Sequence, residues 1–228
     1  TMYCVFLGRA LQTVTPATNS VTSSMLGSNF FTGATDVGGA LADADLLLID
    51  DGAGGTLRKT AMSRVKTYVG GGITMASQWR LTTSFTGDAA PIASNWEQND
   101  GSDPAVSYHG SQMTESSGVF TFPSTGIYYV ELLVGYYING DSGYNHSYIK
   151  AATNGSTFNT MTEMTTFITG NSSANTWAST TGSIIIDVRS TSEDVVRFDI
   201  DVDSAGTTIV GNSTRDITAA RFIRLADT

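Results

Sequence analysis

Short apolar segments alternate with polar ones through the last two thirds of the chain. Eight of them have the composition of strands, at residues 79–85, 119–122, 127–138, 147–152, 161–168, 183–189, 195–203 and 219–225. Regularly spaced short strands with turn residues between them are typical of a β-sandwich or jelly roll. The pattern therefore predicts an all-β head over residues 73–228, built as a jelly-roll β-sandwich.

Segment 127–138 carries more information than the others. If it is a strand, one face presents Tyr128, Val130, Leu132, Val134, Tyr136 and Ile138, and the other presents Ile127, Tyr129, Leu133 and Tyr137 around Glu131 and Gly135. Only one face of a sheet meets the core of a two-sheet sandwich. The second apolar face therefore predicts a partner subunit, with Tyr129, Glu131, Leu133 and Tyr137 in the subunit interface.

The N-terminal part divides into two regions. Residues 1–40 open with a strand-like segment, which we interpret as the end of a truncated upstream module, and continue as a polar, Gly-dotted extended linker. Residues 41–72 predict a trimeric neck with a strand at 46–49, a turn and a helix. The helix prediction rests on the spacing of Leu57, Ala61, Val65 and Tyr68, with Thr60 as its N-cap.

Charge and cysteine content exclude several classes of protein. The chain has 12 basic and 21 acidic residues in 228, for a net charge of −9. It therefore lacks the basic surface that nucleic-acid binding needs, and no apolar run is long enough for membrane insertion. The single cysteine, Cys4, rules out an intrachain disulfide.

Carboxylates offer two candidate sites. Asp199, Asp201 and Asp203 alternate along one strand and form a weak candidate for calcium, although we expect an outward, solvated face with no bound cofactor. Glu131 interrupts an apolar face, where an unpaired carboxylate is costly. We expect it to meet an arginine across a subunit boundary, with Arg197, Arg221 and Arg224 as candidates.

The sequence contains no catalytic motif that we recognise. His109 and His146 stand in no metal-ligand or triad spacing, and we expect both in polar loops. Two predicted loops, at 139–146 and 171–177, combine aromatic rings with amides and hydroxyls, a chemistry that suits sugars. Tyr144, His146 and Trp177 are therefore the candidate receptor-binding residues.

One block resembles a known superfamily. Residues 118–130 read GVFTFPSTGIYYV, with the pattern Gly-x-Phe-x-x-Pro-x-x-Gly-x-Tyr. The block resembles the signature of the complement globular-head and tumour-necrosis-factor superfamily, in which it enters the longest strand of a trimeric jelly roll. The resemblance covers residues 78–228 and implies a TNF-like homotrimeric head.

The N-terminal third resembles parts of bacteriophage proteins. Residues 43–60 read DADLLLIDDGAGGTLRKT and are similar to a neck segment of tailed-phage fibres, and residues 6–12, FLGRALQ, are similar to the end of a repeat module in the same proteins. This resemblance implies a virion protein, assembled in the host cytoplasm and joined to other virion or tail proteins through its N-terminal part.

Three functions remain open. The first is a tail-fibre head that binds a host-surface receptor, either glycan or protein. The second is a purely structural capsid or tail appendage, or a trimerisation module. The third, an enzyme that cleaves surface glycan, is disfavoured because no paired carboxylates stand in a recognisable motif. We therefore expect a non-enzymatic fibre protein whose trimeric C-terminal head binds a host glycan.

Overall fold

The computed structural model describes residues 38–50, 57–69, 72–99, 108–170 and 173–228. The chain divides into two units, Thr1–Val69 and Gly70–Thr228. The predicted upstream strand and most of the predicted linker, with Cys4, lie outside the described residues. Among the described helices, none has the length and apolar character needed to cross a membrane.

The first unit contains a β-hairpin followed by a short helix. Strand β1, Leu46–Asp50, pairs antiparallel with β2, Leu57–Ala61, and helix α1 spans Met62–Val69. The first N–H groups of α1 are satisfied by carbonyls that precede β1: the amide of Met62 donates to Asp45 O at 2.8 Å. The hairpin thus fixes where the helix begins.

This arrangement corrects the predicted neck helix. Residues 57–61 belong to a strand, and Thr60 pairs with Leu47 in the ladder instead of capping a helix. Five paired positions with an apolar partner strand outweigh the helical spacing of Leu57 and Ala61, because helices this short depend on tertiary contacts.

Apolar side chains of the first unit remain open to solvent. Leu46, Leu47, Leu48 and Ile49 on β1 are all exposed, and Tyr68 on α1 is 94% exposed. Helix α1 has no buried residue. A hairpin and a two-turn helix do not form a core of their own at this size.

The described residues of the second unit form a β-sandwich of thirteen strands. In chain order they are β3 Met75–Leu81, β4 Phe85–Thr86, β5 Trp96–Gln98, β6 His109–Gly110, β7 Thr114–Ser116, β8 Val119–Thr121, β9 Gly126–Ile138, β10 Ser142–Thr153, β11 Asn159–Ile168, β12 Thr176–Val188, β13 Asp194–Val202, β14 Thr208–Ile209 and β15 Ala219–Ala226. The all-β prediction is confirmed, and the strands form a jelly-roll sandwich.

Two sheets make up the sandwich. The eight-stranded sheet runs β4-β14-β9-β15-β3-β5, with β12 paired to β9 and β6 paired to β3. The five-stranded sheet runs β11-β10-β13-β8-β7. Strands β9 and β12 pair over thirteen consecutive positions, from Gly126↔Val188 to Ile138↔Thr176. This long ladder gives the eight-stranded sheet a rigid, continuous surface.

Phe120 on β8 lies at the centre of the core between the sheets. Its ring is fully buried, and its centroid lies 5.2–5.5 Å from those of Trp79, Trp96, Phe198 and Phe222. Aromatic pairs at this distance contribute about 0.5–1.5 kcal/mol each beyond buried area. Because Phe198 belongs to the five-stranded sheet and Trp79 and Phe222 to the other, the cluster holds the two sheets together.

Several strands differ in length from their predicted spans. The predicted strand 79–85 lies at Met75–Leu81, and β10 and β12 begin five and seven residues before the predicted 147 and 183. The added part of β10 is fixed by its neighbours, since Asn145 pairs with Val202 on one side and Thr166 on the other. Much of the sequence that reads as loop is therefore strand.

Candidate functional site

The outer face of the eight-stranded sheet carries the four predicted interface residues. On β9 the even-numbered side chains from Tyr128 to Ile138 are buried in the core, and the odd-numbered Tyr129, Glu131, Leu133 and Tyr137 are half-buried on the other side. The predicted division of this strand into two apolar faces is thus present. The other sheet of the second unit packs on the opposite side of β9, and the described residues of that unit place no further sheet over the outer face.

Apolar side chains continue across this face from strand to strand. Tyr129 on β9 pairs with Ile185 on β12 and Ile223 on β15, and Ile223 pairs in turn with Ala76 on β3. Ile185 is 68% exposed. Soluble monomers rarely expose contiguous apolar patches of this kind, which mark interaction surfaces.

Glu131 lies in the middle of the same face and is paired within its own chain. It forms an ion pair with Arg221, directly opposite on β15, and accepts a hydrogen bond from Tyr129 Oη at 2.8 Å. The expectation of an arginine from across a subunit boundary is wrong. The neighbouring strand supplies the cation because residues opposite in an antiparallel pair lie about 5 Å apart.

The ion pair belongs to a longer polar network. Arg221 Nε donates to Gln78 Oε1 at 2.9 Å, and Gln78 in turn donates to the carboxylate of Asp216. Asn99, which is fully buried, donates to Asp216 Oδ1 at 3.0 Å. The network fixes the orientation of charged groups on an otherwise apolar face, so that a second copy would meet a prearranged surface.

A shallow cleft of about 460 Å³ opens at one end of this face. Leu133, Gly135, Trp177 and Ile217 are among its lining residues. A Cβ atom at Gly135 would lie 2.6 Å from Ile217 Cγ2, so the glycine lets Ile217 lie against β9. Trp177, 60% exposed, stacks on Tyr137 with ring centroids 4.7 Å apart.

The three predicted receptor-binding residues do not form one site. Tyr144 and His146 lie on β10 of the five-stranded sheet, whereas Trp177 lies on β12 of the other sheet. The prediction that all three occupy loops is wrong, because each is paired in a ladder or belongs to a strand. Likewise His109, expected in a loop, lies in the short strand β6.

Tyr144 and His146 form part of an aromatic ridge on β10. We define the β10 ridge as Tyr144, His146 and Tyr148, whose rings point outward from the five-stranded sheet at every second position. The centroids are 4.7 Å apart between Tyr144 and His146 and 6.0 Å between His146 and Tyr148, each pair tilted by 32°. His146 Nδ1 lies 2.8 Å from Thr165 Oγ1 on β11.

Sequence reasoning missed Tyr148 as a member of this set. The signal was present in the alternation of Tyr144, His146 and Tyr148, which places three rings on one face if the segment is a strand. Interpreting residues 139–146 as a loop removed that signal.

The aspartates of β13 do not form a uniform solvated face. Asp199 is buried, and its Oδ2 atom lies 2.8 Å from Lys150 Nζ and 2.9 Å from Arg197. The expectation of an outward, solvated Asp199 is wrong because Lys150 on β10 and Arg197 on β13 cover it. Asp201 is half-buried, and Asp203 follows the strand and is exposed.

The geometry of the acidic groups offers no obvious metal centre. Within the described ranges, no group of three or more His, Cys, Asp or Glu side chains is placed to hold a metal ion. The two cations on Asp199 already compensate its charge.

Burial and nearby carboxylates raise the pKa of three tyrosines. Burial raises the pKa of Tyr136, in the core, to about 12. The charge of Asp201, followed by burial and the charges of Asp203 and Asp88, raises the pKa of Tyr144. Burial, followed by the charge of Glu163, raises the pKa of Tyr148. A phenol is protonated at neutral pH even at its ordinary pKa, so all three are hydrogen-bond donors there.

Comparisons with known proteins identify the fold. No protein-family model and no curated protein matches the sequence. The structure of Eiger TNF from S. frugiperda matches with a TM-score of 0.50 and 14% sequence identity, covering 69% of this chain and 95% of that one. Murine APRIL, solved at pH 8.5 and at pH 5.0, matches with a TM-score of 0.44 and 12% identity over 66% of this chain and 98% of that one. The similarity to Eiger supports a TNF-like jelly-roll β-sandwich fold for this chain.

Proposed function

We propose that the chain is a homotrimeric fibre protein of a tailed-phage virion, whose C-terminal head binds a host-surface receptor. The observation that carries the proposal is the outer face of the eight-stranded sheet. It presents the apolar side chains of Tyr129, Leu133 and Ile185 around the ion pair of Glu131 with Arg221, and the described residues of the second unit place no further sheet over it. A trimer would remove this surface from water, which is favourable in proportion to the apolar area buried.

The first unit supports assembly independently. Its hairpin and helix leave four apolar side chains of β1 and Tyr68 exposed, a pattern that fits packing against identical copies. This unit coincides with the segment similar to phage-fibre necks. In the proposed virion it joins the head to the preceding part of the fibre, through which other virion proteins are contacted.

The proposed role of the head is adhesion without cleavage. A rigid sandwich presents its strands and their ends at fixed positions, and three copies raise the apparent affinity of weak single sites through effective concentration. A host glycan is the proposed receptor because phenols, carboxylates and an imidazole converge on the outer face of β10.

Two measurements on the full chain test this proposal. Light scattering in dilute buffer is expected to give three times the 24.1 kDa of one chain, and labelled protein is expected to adhere to cells of the bacterial host. Soluble sugar measured in the same wells is expected to stay at the level without protein. A folded monomer contradicts the assembly, and released oligosaccharide contradicts the non-enzymatic role.

Localisation on particles separates receptor binding from a structural role. Gold-labelled antibody against the chain is expected to decorate the distal ends of tail fibres in electron micrographs of virions. Decoration of the capsid, together with a trimer that does not adhere to cells, would instead favour the structural appendage.

A further inference from the structure

The β10 ridge presents hydrogen-bonding edges to solvent. Side chains on a strand stand perpendicular to the sheet. The hydroxyl of a tyrosine is the part of its side chain farthest from the backbone, and Tyr144 is exposed while His146 and Tyr148 are half-buried. The first and last ring positions are four residues apart, which corresponds to roughly 13 Å along the strand. The ridge therefore offers a row of phenol and imidazole groups to an extended ligand.

Carboxylates stand on both sides of this row. Glu163 on β11 pairs with Tyr148, and its Oε1 lies 3.1 Å from His146 Nδ1. Asp201 on β13 pairs with His146 from the other side, and Asp203 Oδ2 accepts the amide of Gly143 at 2.9 Å. Asp201 and Asp203 both act on Tyr144 electrostatically. Each polar edge of the ridge thus has an acceptor group nearby.

The cations of this face offset the outer carboxylates only in part. Lys150 and Arg197 both direct their charge to the same buried oxygen of Asp199. Lys150 also lies over the Tyr148 ring, 5.2 Å from its centroid. Lys150 and Arg197 carry two positive charges against the one negative charge of Asp199, which leaves one excess positive charge on this face. Glu163, Asp201 and Asp203 are three negative charges around the ridge, and Asp88 also acts on Tyr144, so the field over the ridge is negative.

We propose that the β10 ridge, with Glu163, Asp201 and Asp203, is the glycan-binding site of the head and that it accepts only glycans without acidic groups. The inference deepens the proposed function and depends on it. Carboxylates accept hydrogen bonds from adjacent sugar hydroxyls, and charge-assisted bonds of this kind are stronger than neutral ones. The negative field repels sialic acid, uronic acid and phosphate groups, and tolerates neutral or amine-bearing sugars.

The site lies apart from the proposed assembly surface. The ridge belongs to the outer face of the five-stranded sheet, and the proposed interface belongs to the outer face of the eight-stranded sheet, with the core between them. Three ridges are therefore open at once in a trimer, and substitutions in a ridge leave the assembly surface unchanged.

The test uses the full chain on an immobilised sugar panel and on cells. The panel contains neutral oligomers of glucose, mannose, galactose and N-acetylglucosamine, glucosamine oligomers, and acidic oligosaccharides carrying uronic or sialic acid. Wild-type protein is expected to bind one or more neutral or amine-bearing members and no acidic one. Periodate oxidation of host cells, which destroys vicinal diols, is expected to abolish adhesion.

Isosteric variants assign the binding to the ridge. Tyr144→Phe and Tyr148→Phe remove one hydroxyl each, Asp201→Asn removes one charge, and each is expected to weaken binding about tenfold. Glu193→Gln is the matched control, because it removes one exposed carboxylate at the opposite end of β13. Light scattering on every variant is expected to give the wild-type mass.

The outcomes separate this inference from the function on which it depends. Adhesion that is unchanged in all three ridge variants, that survives periodate, or that prefers acidic sugars overturns the inference and leaves the receptor-binding head in place. Loss of binding in Trp177→Ala alone would overturn the inference and assign the binding site to the eight-stranded sheet. A wild-type protein that binds neither cells nor panel overturns both.

Discussion

The two outer faces of the sandwich differ in chemistry although both are made of alternating strand residues. The eight-stranded sheet presents Tyr129, Leu133 and Ile185 around one internally paired carboxylate. The five-stranded sheet presents the β10 ridge between carboxylates, with its cations drawn to a buried aspartate. Exposed apolar area favours being covered, whereas charged and hydrogen-bonding edges favour water or a polar ligand. The difference supports the proposal that the first face is for assembly and the second for recognition.

The largest effect is expected from a charge placed in the apolar face. Leu133→Asp would bring one carboxylate from each copy into the proposed interface, where burial of an unpaired charge is strongly unfavourable. We expect the mass measured by light scattering to fall from three chains to one. Phe167→Asp is the matched control, since Phe167 is a 69% exposed side chain on the other sheet, and it should remain trimeric. A Leu133→Asp protein that stays trimeric would contradict the assignment of this face to the subunit interface.

The buried carboxylate of Asp199, in the five-stranded sheet, is expected to stabilise the fold. Asp199→Ala leaves Lys150 and Arg197 without their shared partner, each with a side chain 23% exposed. We expect a loss of about 2–3 kcal/mol in the free energy of unfolding, below the range for fully buried pairs because water reaches both cations. Denaturant unfolding at fixed protein concentration measures it.

The control for this loss is Glu193→Ala, a surface substitution expected to change stability by less than about 0.5 kcal/mol. Equal effects in the two variants would mean that the cations of Asp199 are satisfied by water. Asp199→Ala should also keep the wild-type mass in light scattering, because Asp199 lies away from the proposed interface.

A smaller effect on stability is expected from the ion pair on the outer face of the eight-stranded sheet. A double-mutant cycle on Glu131 and Arg221 should give a coupling energy of about 1 kcal/mol. Partial exposure of both side chains limits this energy, and the hydrogen bonds from Tyr129 to Glu131 and from Arg221 to Gln78 increase it. The exposed pair of Lys66 and Asp43 in the first unit is the comparison and should couple by roughly zero. Coupling no larger than that would contradict a preorganised polar network.

The smallest effect is a change in the titration of one phenol. Because the charge of Asp201 is the largest cause of the raised pKa of Tyr144, Asp201→Asn should lower that pKa toward its ordinary value. Tyr144 would then ionise at lower pH than in the wild type. The ultraviolet absorbance of phenolate, corrected with Tyr144→Phe, measures this, and Asp187→Asn on the other sheet should leave the titration unchanged.

The alternation of side chains within single strands could be predicted from the sequence, because it depends only on neighbouring residues. The two faces of β9 follow from a period of two in residues 127–138, and every position but Gly135, against which Ile217 packs, has the burial that this period assigns. The predicted neck helix is present as α1 and contains Val65 and Tyr68, but Leu57 and Ala61, which were counted in its pattern, pair with β1 across a turn. Strand pairing outweighed helical spacing there.

The candidate site was predicted only in part for a related reason. Tyr144 and His146 were found by their chemistry, but their strand depends on pairing with residues 165–168 and 201–202, which the local sequence does not contain. Trp177 was grouped with them although it belongs to the other sheet. The burial of Asp199 was missed because one of its two cations, Lys150, comes from another strand.

The most direct test of the central claim compares the two faces within one experiment. Hydroxyl-radical footprinting with mass spectrometry, applied to wild-type protein and to Leu133→Asp, reports side-chain exposure residue by residue. Our account predicts that Tyr129 and Ile185 are protected in the wild type and labelled several-fold more in the variant, whereas Tyr144 and Phe167 are labelled equally in both. Equal labelling of Ile185 in the two proteins, or protection of Tyr144 in the wild type alone, would contradict it.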